Sequence, residues 1–274
     1  MKNATKYEKK VKKLLGSLGK PPAPPAPADP VRALIESVLL ADATRKQAQD
    51  AMKAMETEFV DFNELRVSPT KEIVECLGKD YPFARQRAEA LAKVLNAVVA
   101  KTGTMTMTYM EKMPKRDLRR HLLEIGLSAF SAAYVVATVF GGHAIAVDQS
   151  LVDVLEAQEQ IHPGSDIEDV QGFLERIVPQ KDGPAINEAL RRYLEKFTKM
   201  LTQKRQVRET AAAIVAKAQE VKDDAAAKAR SEAQQAARLA QAAAQAAAKA
   251  AARQRGRPTR PKASVAKKVG KGKK

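Results

Sequence analysis

Few side chains in this sequence could perform metal or thiol chemistry. Cys76 is the single cysteine among 274 residues, which excludes a disulfide scaffold and any four-cysteine iron–sulfur or zinc site. The three histidines, His121, His143 and His162, lie at no metal-ligand spacing from one another, which disfavours a transition-metal site. We therefore expect no cofactor, and we expect any chemistry to be that of carboxylates and of the numerous lysines and arginines.

The positive charge of the chain is concentrated at its two ends. The formal net charge is +16, of which residues 1–20 contribute +6 and residues 201–274 contribute +14. Positions 21–200 are left with a net charge of −4. Nucleic-acid affinity from counterion release should then come largely from the ends, unless the middle concentrates its cations on one face. The alternative is a basic tail that serves only solubility or localisation.

One short motif stands inside the basic C-terminal stretch. Arg255-Gly256-Arg257-Pro258 is similar to the core of an AT-hook, a segment that lies in the narrow minor groove of A·T-rich DNA. Glycine allows close approach to the groove floor, while Arg255 and Arg257 would enter its enhanced negative potential. A generic basic tail that binds the DNA or RNA backbone is the alternative.

Helical periodicity runs through most of the chain. A Lys-rich amphipathic helix is predicted from Lys2 to Leu18, with a proline-rich linker up to residue 28. Apolar residues at three- and four-residue spacing predict an all-α domain over 29–200. Alanine-rich composition then predicts a solvated helix over 201–252, and the acid-free stretch 253–274 predicts a disordered basic tail.

Three helix starts carry capping signals. Asp29-Pro30 predicts an N-cap followed by proline in the first turn, and Ser68-Pro69 predicts the same arrangement. Either Ser165 or Asp166 can cap the helix that follows.

Membrane insertion and secretion are not indicated. No stretch approaches about 18 consecutive apolar residues, and the N-terminal region has no apolar run ending in a cleavage-like site. We expect a protein without a membrane partner that works inside the cell, cytoplasmic and nucleoid-associated or, in a eukaryote, nuclear.

The segment from Met113 to Ala157 carries the most specific pattern. An amphipathic helix leads to Glu124-Ile125-Gly126-Leu127-Ser128, and a second helix of small and apolar residues ends at a Gly141-Gly142 stop. Ala146-Val147-Asp148 then opens a further helix. This arrangement resembles the helix–hairpin–helix DNA glycosylases of the endonuclease III superfamily.

Other segments match that family in the same order. Residues 33–44 are similar to an early helix with its DNA-probing loop. Residues 75–91 are similar to the entry into the helix before the hairpin, and residues 161–179 are similar to a capped late helix. The resemblance covers 29–199 and implies an all-α, helix–hairpin–helix glycosylase-like core, with double-stranded DNA as the partner.

The resemblance also implies DNA contacts at the hairpin. Backbone N–H groups around Gly126, Leu127 and Ser128 would hold a phosphate, with Ser128 in the slot of a second glycine. Lys115 and Arg119 precede the hairpin and would contact phosphates. The alternatives are a simple interhelical turn and solvated cations.

Asp148 matches the catalytic aspartate of the family, whose carboxylate stabilises the oxocarbenium-like sugar. An aspartate at a helix start is also a common N-cap, and the two roles are compatible. The slot of the nucleophilic lysine falls on Phe130, which cannot form a Schiff base. Lyase chemistry through that position is excluded, which leaves either a monofunctional glycosylase that uses water or a fold that has lost catalysis.

Three departures from the family weaken the prediction of an enzyme. Asp42 stands where many relatives carry a neutral amide that probes the duplex, and Asp153 stands where they often carry arginine. The cysteines that hold a [4Fe–4S] centre in many members are absent.

Two functions are thus expected from the sequence. The first is a base-excision-repair DNA N-glycosylase, a hydrolase with Asp148 at its centre. The alternative is a non-catalytic, histone-like DNA-binding protein on the same fold. An RNA- or ribosome-associated role of the tails has no specific residue behind it.

Overall fold

A computed structural model of the chain describes residues 3–19, 21–22, 27 and 29–255. The helices are α1 (Ala4–Leu18), α2 (Pro30–Leu40), α3 (Arg45–Glu58), α4 (Phe62–Val67), α5 (Thr70–Leu77), α6 (Ala84–Thr102), α7 (Lys115–Glu124), α8 (Ala129–Thr138), α9 (Gln149–Ala157), α10 (Ile167–Ile177), α11 (Gly183–Glu195) and α12 (Thr198–Arg255). Two 3₁₀ turns lie at Thr108–Lys112 and Gln180–Asp182. No strand occurs within these ranges, so the fold is all-α, as the sequence predicts.

The first hydrophobic core is built from one contiguous stretch of chain. Its buried residues run from Val31 to Ala146 and come from α2 to α8 and the loop after α8. α2 lies at its centre, packed against α3 and α8, and most of its side chains are buried, including Leu34, Ile35 and Leu39. Apart from the side that carries Arg32 and Glu36, α2 is apolar around its circumference, and so wide an apolar face must be covered by neighbouring helices.

The second hydrophobic core joins both ends of the domain. Its buried residues come from α1, from α9 to α11, and from the start of α12. Tyr7 and Val11 of α1 are buried against this cluster, and α1 packs on α10 and α11. The Lys-rich N-terminal helix is therefore part of the folded domain through its apolar face, while its lysines lie on the opposite face.

The capping signals have different outcomes. Asp29 caps α2 through a 2.8 Å hydrogen bond from the N–H of Val31. Asp166 rather than Ser165 caps α10, accepting a hydrogen bond from the N–H of Asp169 at 2.7 Å. The prediction for Ser68 is wrong: its N–H and Oγ both donate to the carbonyl of Glu64, so Ser68 ends α4 and Pro69 occupies the N-cap of α5.

Replacing Asp166 with alanine should lower the free energy of unfolding by about 1 kcal/mol, because the N–H of Asp169 loses its acceptor. Ser165→Ala is the matched control, since Ser165 donates only to the carbonyl of His162. Urea unfolding of the two variants measures the difference. Equal stability losses would show that the helix does not depend on this cap.

The second compact unit of the chain comprises residues 210–274. Its described part continues α12 as far as Arg255, and the side chains described there are almost all exposed, including Ile214 and Val215. The side chain of Arg255 and residues 256–274, which include Arg257, lie outside the described residues. Within the described ranges, no helix is both long and apolar enough to span a bilayer.

Candidate functional site

The hairpin joins α7 to α8 through one left-handed residue. The N–H of Gly126 donates to the carbonyl of Leu123 at 3.0 Å, and the N–H of Leu127 donates to that of Leu122 at 3.1 Å. Gly126 has a φ of +107°, which a residue with a Cβ rarely adopts. Glycine at this position is therefore required by the turn itself.

Ser128 closes the hairpin without strain. Its φ of −67° is one that any residue adopts, and its Oγ caps α8 by accepting from the N–H of Ser131 at 3.1 Å. The second glycine slot thus needs no glycine here. The N–H groups of Ala129 and Phe130 donate to no described acceptor, so the N-terminus of α8 presents free amides, where an anion is favoured.

A cation that the sequence pattern did not single out lies over this turn. The exposed side chain of Lys93, on α6, covers Gly126 so closely that a Cβ built there would lie 2.9 Å from Lys93 Cε and 3.3 Å from Nζ. Lys93 is remote from the hairpin in sequence, and only the packing of α6 brings its ammonium group to the turn.

Replacing Gly126 with alanine should lower the free energy of unfolding by about 1–3 kcal/mol, because the new Cβ meets both an unfavourable φ and the Lys93 side chain. Gly172→Ala is the control: Gly172 is helical and open, so alanine there should stabilise by about 0.5–1 kcal/mol. Thermal unfolding of both variants gives the comparison. A shift of the same sign in both would remove the argument for strain at Gly126.

The two cations expected to accompany the hairpin lie elsewhere. Lys115 begins α7 and donates to the carbonyl of Gly141 at 3.1 Å, so it lies at the opposite end of α7 from the turn, about 15 Å away. Arg119 donates to the side chain of Gln171 at 2.7 Å and forms an ion pair with Glu175. A phosphate contact by Arg119 would have to replace these interhelical bonds.

The carboxylate of Asp148 is buried and fully engaged. As the N-cap of α9, it accepts a hydrogen bond at Oδ1 from the N–H of Leu151 at 2.9 Å. Its Oδ2 accepts from the N–H of Asp42 at 2.9 Å and from Nη1 of Arg191 at 2.8 Å. Only 2% of Asp148 and 9% of Arg191 are exposed. Asp148 therefore caps its helix and also forms a buried ion pair.

Asp42 points into the protein rather than towards a duplex. With a φ of +56°, the residue turns its carboxylate inward, where Oδ1 accepts from both the N–H and the Oγ of Ser150 at 2.9 Å. Because the N–H of Asp42 in turn donates to Asp148, three hydrogen bonds, running in both directions, hold this loop to the start of α9. Arg87 lies 3.7 Å from the other carboxylate oxygen.

Burial, and then the negative charge of Asp148, raise the pKa of Asp42 above its ordinary value of 3.8. The folded state consequently binds this proton more tightly than the unfolded state, and stability falls as the pH rises from 3.8 through the higher pKa of the folded protein. Asp42→Asn should raise the free energy of unfolding at pH 7, and this gain should disappear below pH 3.8. Urea unfolding across this range, with exposed Asp80→Asn as the control, measures the difference; a less stable Asp42→Asn protein at pH 7 would contradict it.

Phe130, on which the slot of the nucleophilic lysine falls, packs against Arg191. Phe130 is buried, and the guanidinium of Arg191 lies 4.2 Å from the centre of its ring. The same guanidinium therefore contacts both the aromatic ring and the Asp148 carboxylate. A hydrogen-bonded, stacked arginine has no accessible lone pair and performs no covalent chemistry.

A cleft lies between the loop that contains Asp42, the start of α9 and the end of α11. The first turns of α12, residues 198–209, cover this cleft, and we call them the closing segment. Arg205 donates to the carbonyl of Asp42 at 2.7 Å, and Arg208 donates to the Asp153 carboxylate at 2.7 Å. Lys204 lies 3.4 Å from the same carboxylate. Asp153, which replaces the arginine expected there, is thus the partner of two cations supplied by α12.

A small cavity lies under the closing segment. A cavity of about 20 Å³ lies between the Asp42 loop, α11 and the closing segment, lined by Ser150, Arg191, Leu201 and Arg205 among others. This volume holds about one water molecule. Within the described chain, no group of three metal-ligating side chains lies close enough to hold a metal ion.

The sequence matches no protein-family model and no curated protein. Solved structures do match. A trapped endonuclease III–DNA covalent intermediate aligns with a TM-score of 0.52 and 21% identity, over 67% of this chain and 84% of that chain. A non-covalent endonuclease III–DNA complex gives the same values. The Clostridium acetobutylicum 8-oxoguanine glycosylase/lyase in complex with dsDNA aligns with a TM-score of 0.51 and 13% identity, over 72% of this chain and 71% of that chain. The core has the helix–hairpin–helix DNA glycosylase fold, as the sequence predicts.

Proposed function

We propose that this chain, which has the fold of the helix–hairpin–helix DNA glycosylases, binds double-stranded DNA without excising bases. The observation that carries the proposal is the state of Asp148, whose carboxylate is buried, ion-paired with Arg191 and hydrogen-bonded at both oxygens. A carboxylate stabilises a developing sugar cation most strongly when it faces that cation and no other cation already compensates its charge. Here the charge is already neutralised by a guanidinium at 2.8 Å.

The size of the cavity beside Arg191 supports the same conclusion. Enzymes that act on a base in duplex DNA rotate that nucleotide out of the helix and into a fitted pocket. The cavity of about 20 Å³ beside Arg191 and Ser150 has room for a water molecule and none for a base. The ion pair lies between α9 and α11, so moving the closing segment would not free Asp148 from Arg191.

DNA binding is supported by the hairpin and by the ends of the chain. The free amides at the start of α8 and the ammonium group of Lys93 beside Gly126 together favour a phosphate. The ends of the chain add the +6 of residues 1–20 and the +14 of residues 201–274. Such a protein would be associated with the chromosome as a structural or repair-related component.

A monofunctional base-excision-repair glycosylase is the second candidate. It is favoured by one observation, the retention of an aspartate at the start of α9 together with an intact hairpin on this fold. For this activity, Arg191 would have to move away from Asp148 when DNA binds.

One assay separates the two candidates. The purified full chain is incubated with lesion and mismatch duplexes, and alkali then converts any abasic site into a strand break. We expect DNA binding with no break on any duplex. Breaks that disappear in Asp148→Asn would instead establish the glycosylase, and absence of binding to any duplex would overturn both candidates.

A further inference from the structure

The carboxylates around the cleft are matched by an excess of cations. Glu188 pairs with Arg45 and Arg192, and Asp153 pairs with Lys204 and Arg208. A carboxylate near bound DNA would repel phosphates unless a cation compensates it. At Asp153 the local charge is reversed from −1 to +1, and both cations come from the closing segment.

The two cations at Asp153 are oriented but not enclosed. The Asp153 side chain is 8% exposed, whereas those of Lys204 and Arg208 are 43% and 27% exposed. Arg208 binds Asp153 through Nη1, and its Nε and Nη2 are buried without a hydrogen-bond partner among the described atoms. A guanidinium with unsatisfied donors favours an added acceptor such as a phosphate oxygen, and the half-exposed ammonium group of Lys204 stands beside it on the same carboxylate.

The closing segment gains little from apolar burial beyond its first turn. Leu201 is its buried apolar residue, whereas Val207 is exposed. Its later contacts are polar: Arg205 to the carbonyl of Asp42, the two ion pairs at Asp153, and Glu209 to the N–H of Phe83. Asp153 is thus the residue that fixes where the two cations lie.

We infer that Asp153 is a positioning residue that holds Lys204 and Arg208 on the cleft face as a clamp for DNA backbone phosphates. This inference rests on the proposed DNA binding and adds the residues of one contact surface to it. The clamp requires the closing segment to stay in place when DNA binds, because lifting it would leave Asp153 without its two cations beside phosphates.

The direction in which one substitution changes DNA affinity distinguishes this positioning role from an effect of net charge. Asp153→Asn removes a negative charge, so net charge alone predicts tighter DNA binding. Loss of positioning predicts weaker binding, together with faster amide hydrogen exchange in residues 198–209. The control is Asp80→Asn, an exposed acid with the same charge change, which should bind as tightly as the wild type or more tightly.

A triple variant tests the clamp without leaving a buried charge unpaired. Asp153→Asn, Lys204→Gln and Arg208→Gln together change the net charge by −1, as does the exposed control Lys71→Gln. We expect the slope of log affinity against log salt to be smaller by about two in the triple variant, since two phosphate contacts are lost.

The outcomes separate this inference from the proposed function. If the triple variant matches Lys71→Gln, or if Asp153→Asn binds as tightly as Asp80→Asn, the clamp is wrong while DNA binding stands. If the wild type binds no duplex, the proposed function fails and the clamp with it. Slower hydrogen exchange in residues 198–209 on addition of DNA supports the clamp, and faster exchange overturns it. If Asp153→Asn does not fold, the triple variant still decides the question.

Discussion

Replacing Arg191 with methionine should lower the free energy of unfolding by about 3–5 kcal/mol, because the substitution leaves the Asp148 carboxylate buried without its counterion. The two groups are 2.8 Å apart and among the most buried charged residues of the domain. The variant also loses the contact of the guanidinium with the Phe130 ring. Urea unfolding at neutral pH measures the effect.

Arg192 provides a control one position further along α11. Its side chain is 61% exposed and pairs with Glu188 at 2.9 Å, so Arg192→Met should cost at most about 1 kcal/mol. The double variant Asp148→Asn and Arg191→Met should recover much of the lost stability, since asparagine retains the cap on Leu151 without a charge. Similar losses in Arg191→Met and Arg192→Met would show that the Asp148 pair is not the buried ion pair described above, and would weaken the case against catalysis.

The DNA affinity of the intact chain should fall by about three decades or more between 50 and 200 mM monovalent salt, since many phosphate contacts by lysine and arginine are expected. Residues 253–274 carry ten lysines and arginines and no acid. Replacing these ten with glutamine should reduce the salt slope by several units. Fluorescence anisotropy with a labelled duplex measures both slopes.

The choice of competitor tests the Arg255-Gly256-Arg257-Pro258 motif within the same experiment. A minor-groove reader prefers A·T-rich duplexes, whereas a generic basic tail does not. Arg257→Ala should abolish such a preference, and Lys262→Ala should leave it unchanged. An unchanged salt slope after neutralisation of residues 253–274 would place the affinity on the folded domain instead.

The fold could be predicted from the sequence because its signals are local. The hairpin, the Gly126 turn, the caps at Asp29 and Asp166 and the helical periodicity each involve residues a few positions apart. Ser68 shows where local signals compete, because the same side chain can cap the next helix or close the previous one. The carbonyl of Glu64 lies within one helical turn of Ser68, and the Ser68 hydroxyl donates to it instead of capping the next helix.

The state of the cleft could not be predicted in the same way. Asp148 and Arg191 are far apart in sequence, as are Asp42 and Arg205, and no local pattern pairs them. An aspartate in an apolar segment indicates that a counterion is needed, but tertiary packing alone selects which arginine supplies it. Lys93 illustrates the same limit at the hairpin. The roles of Gly126, Leu127, Ser128, Lys115, Arg119, Arg255 and Arg257 in DNA binding stay predictions.

The two hydrophobic cores become complete at different stages of chain synthesis. The first core uses residues 31–146 and can form as soon as that stretch has left the ribosome. The second core joins α1 to residues 145–201, so Tyr7 and Val11 lack their full set of partners until α10 and α11 have been made. During that interval the N-terminal helix presents an apolar face flanked by lysines. A nascent chain arrested before α11 would thus expose a basic amphipathic helix that the finished protein conceals, and chaperones would encounter that helix first.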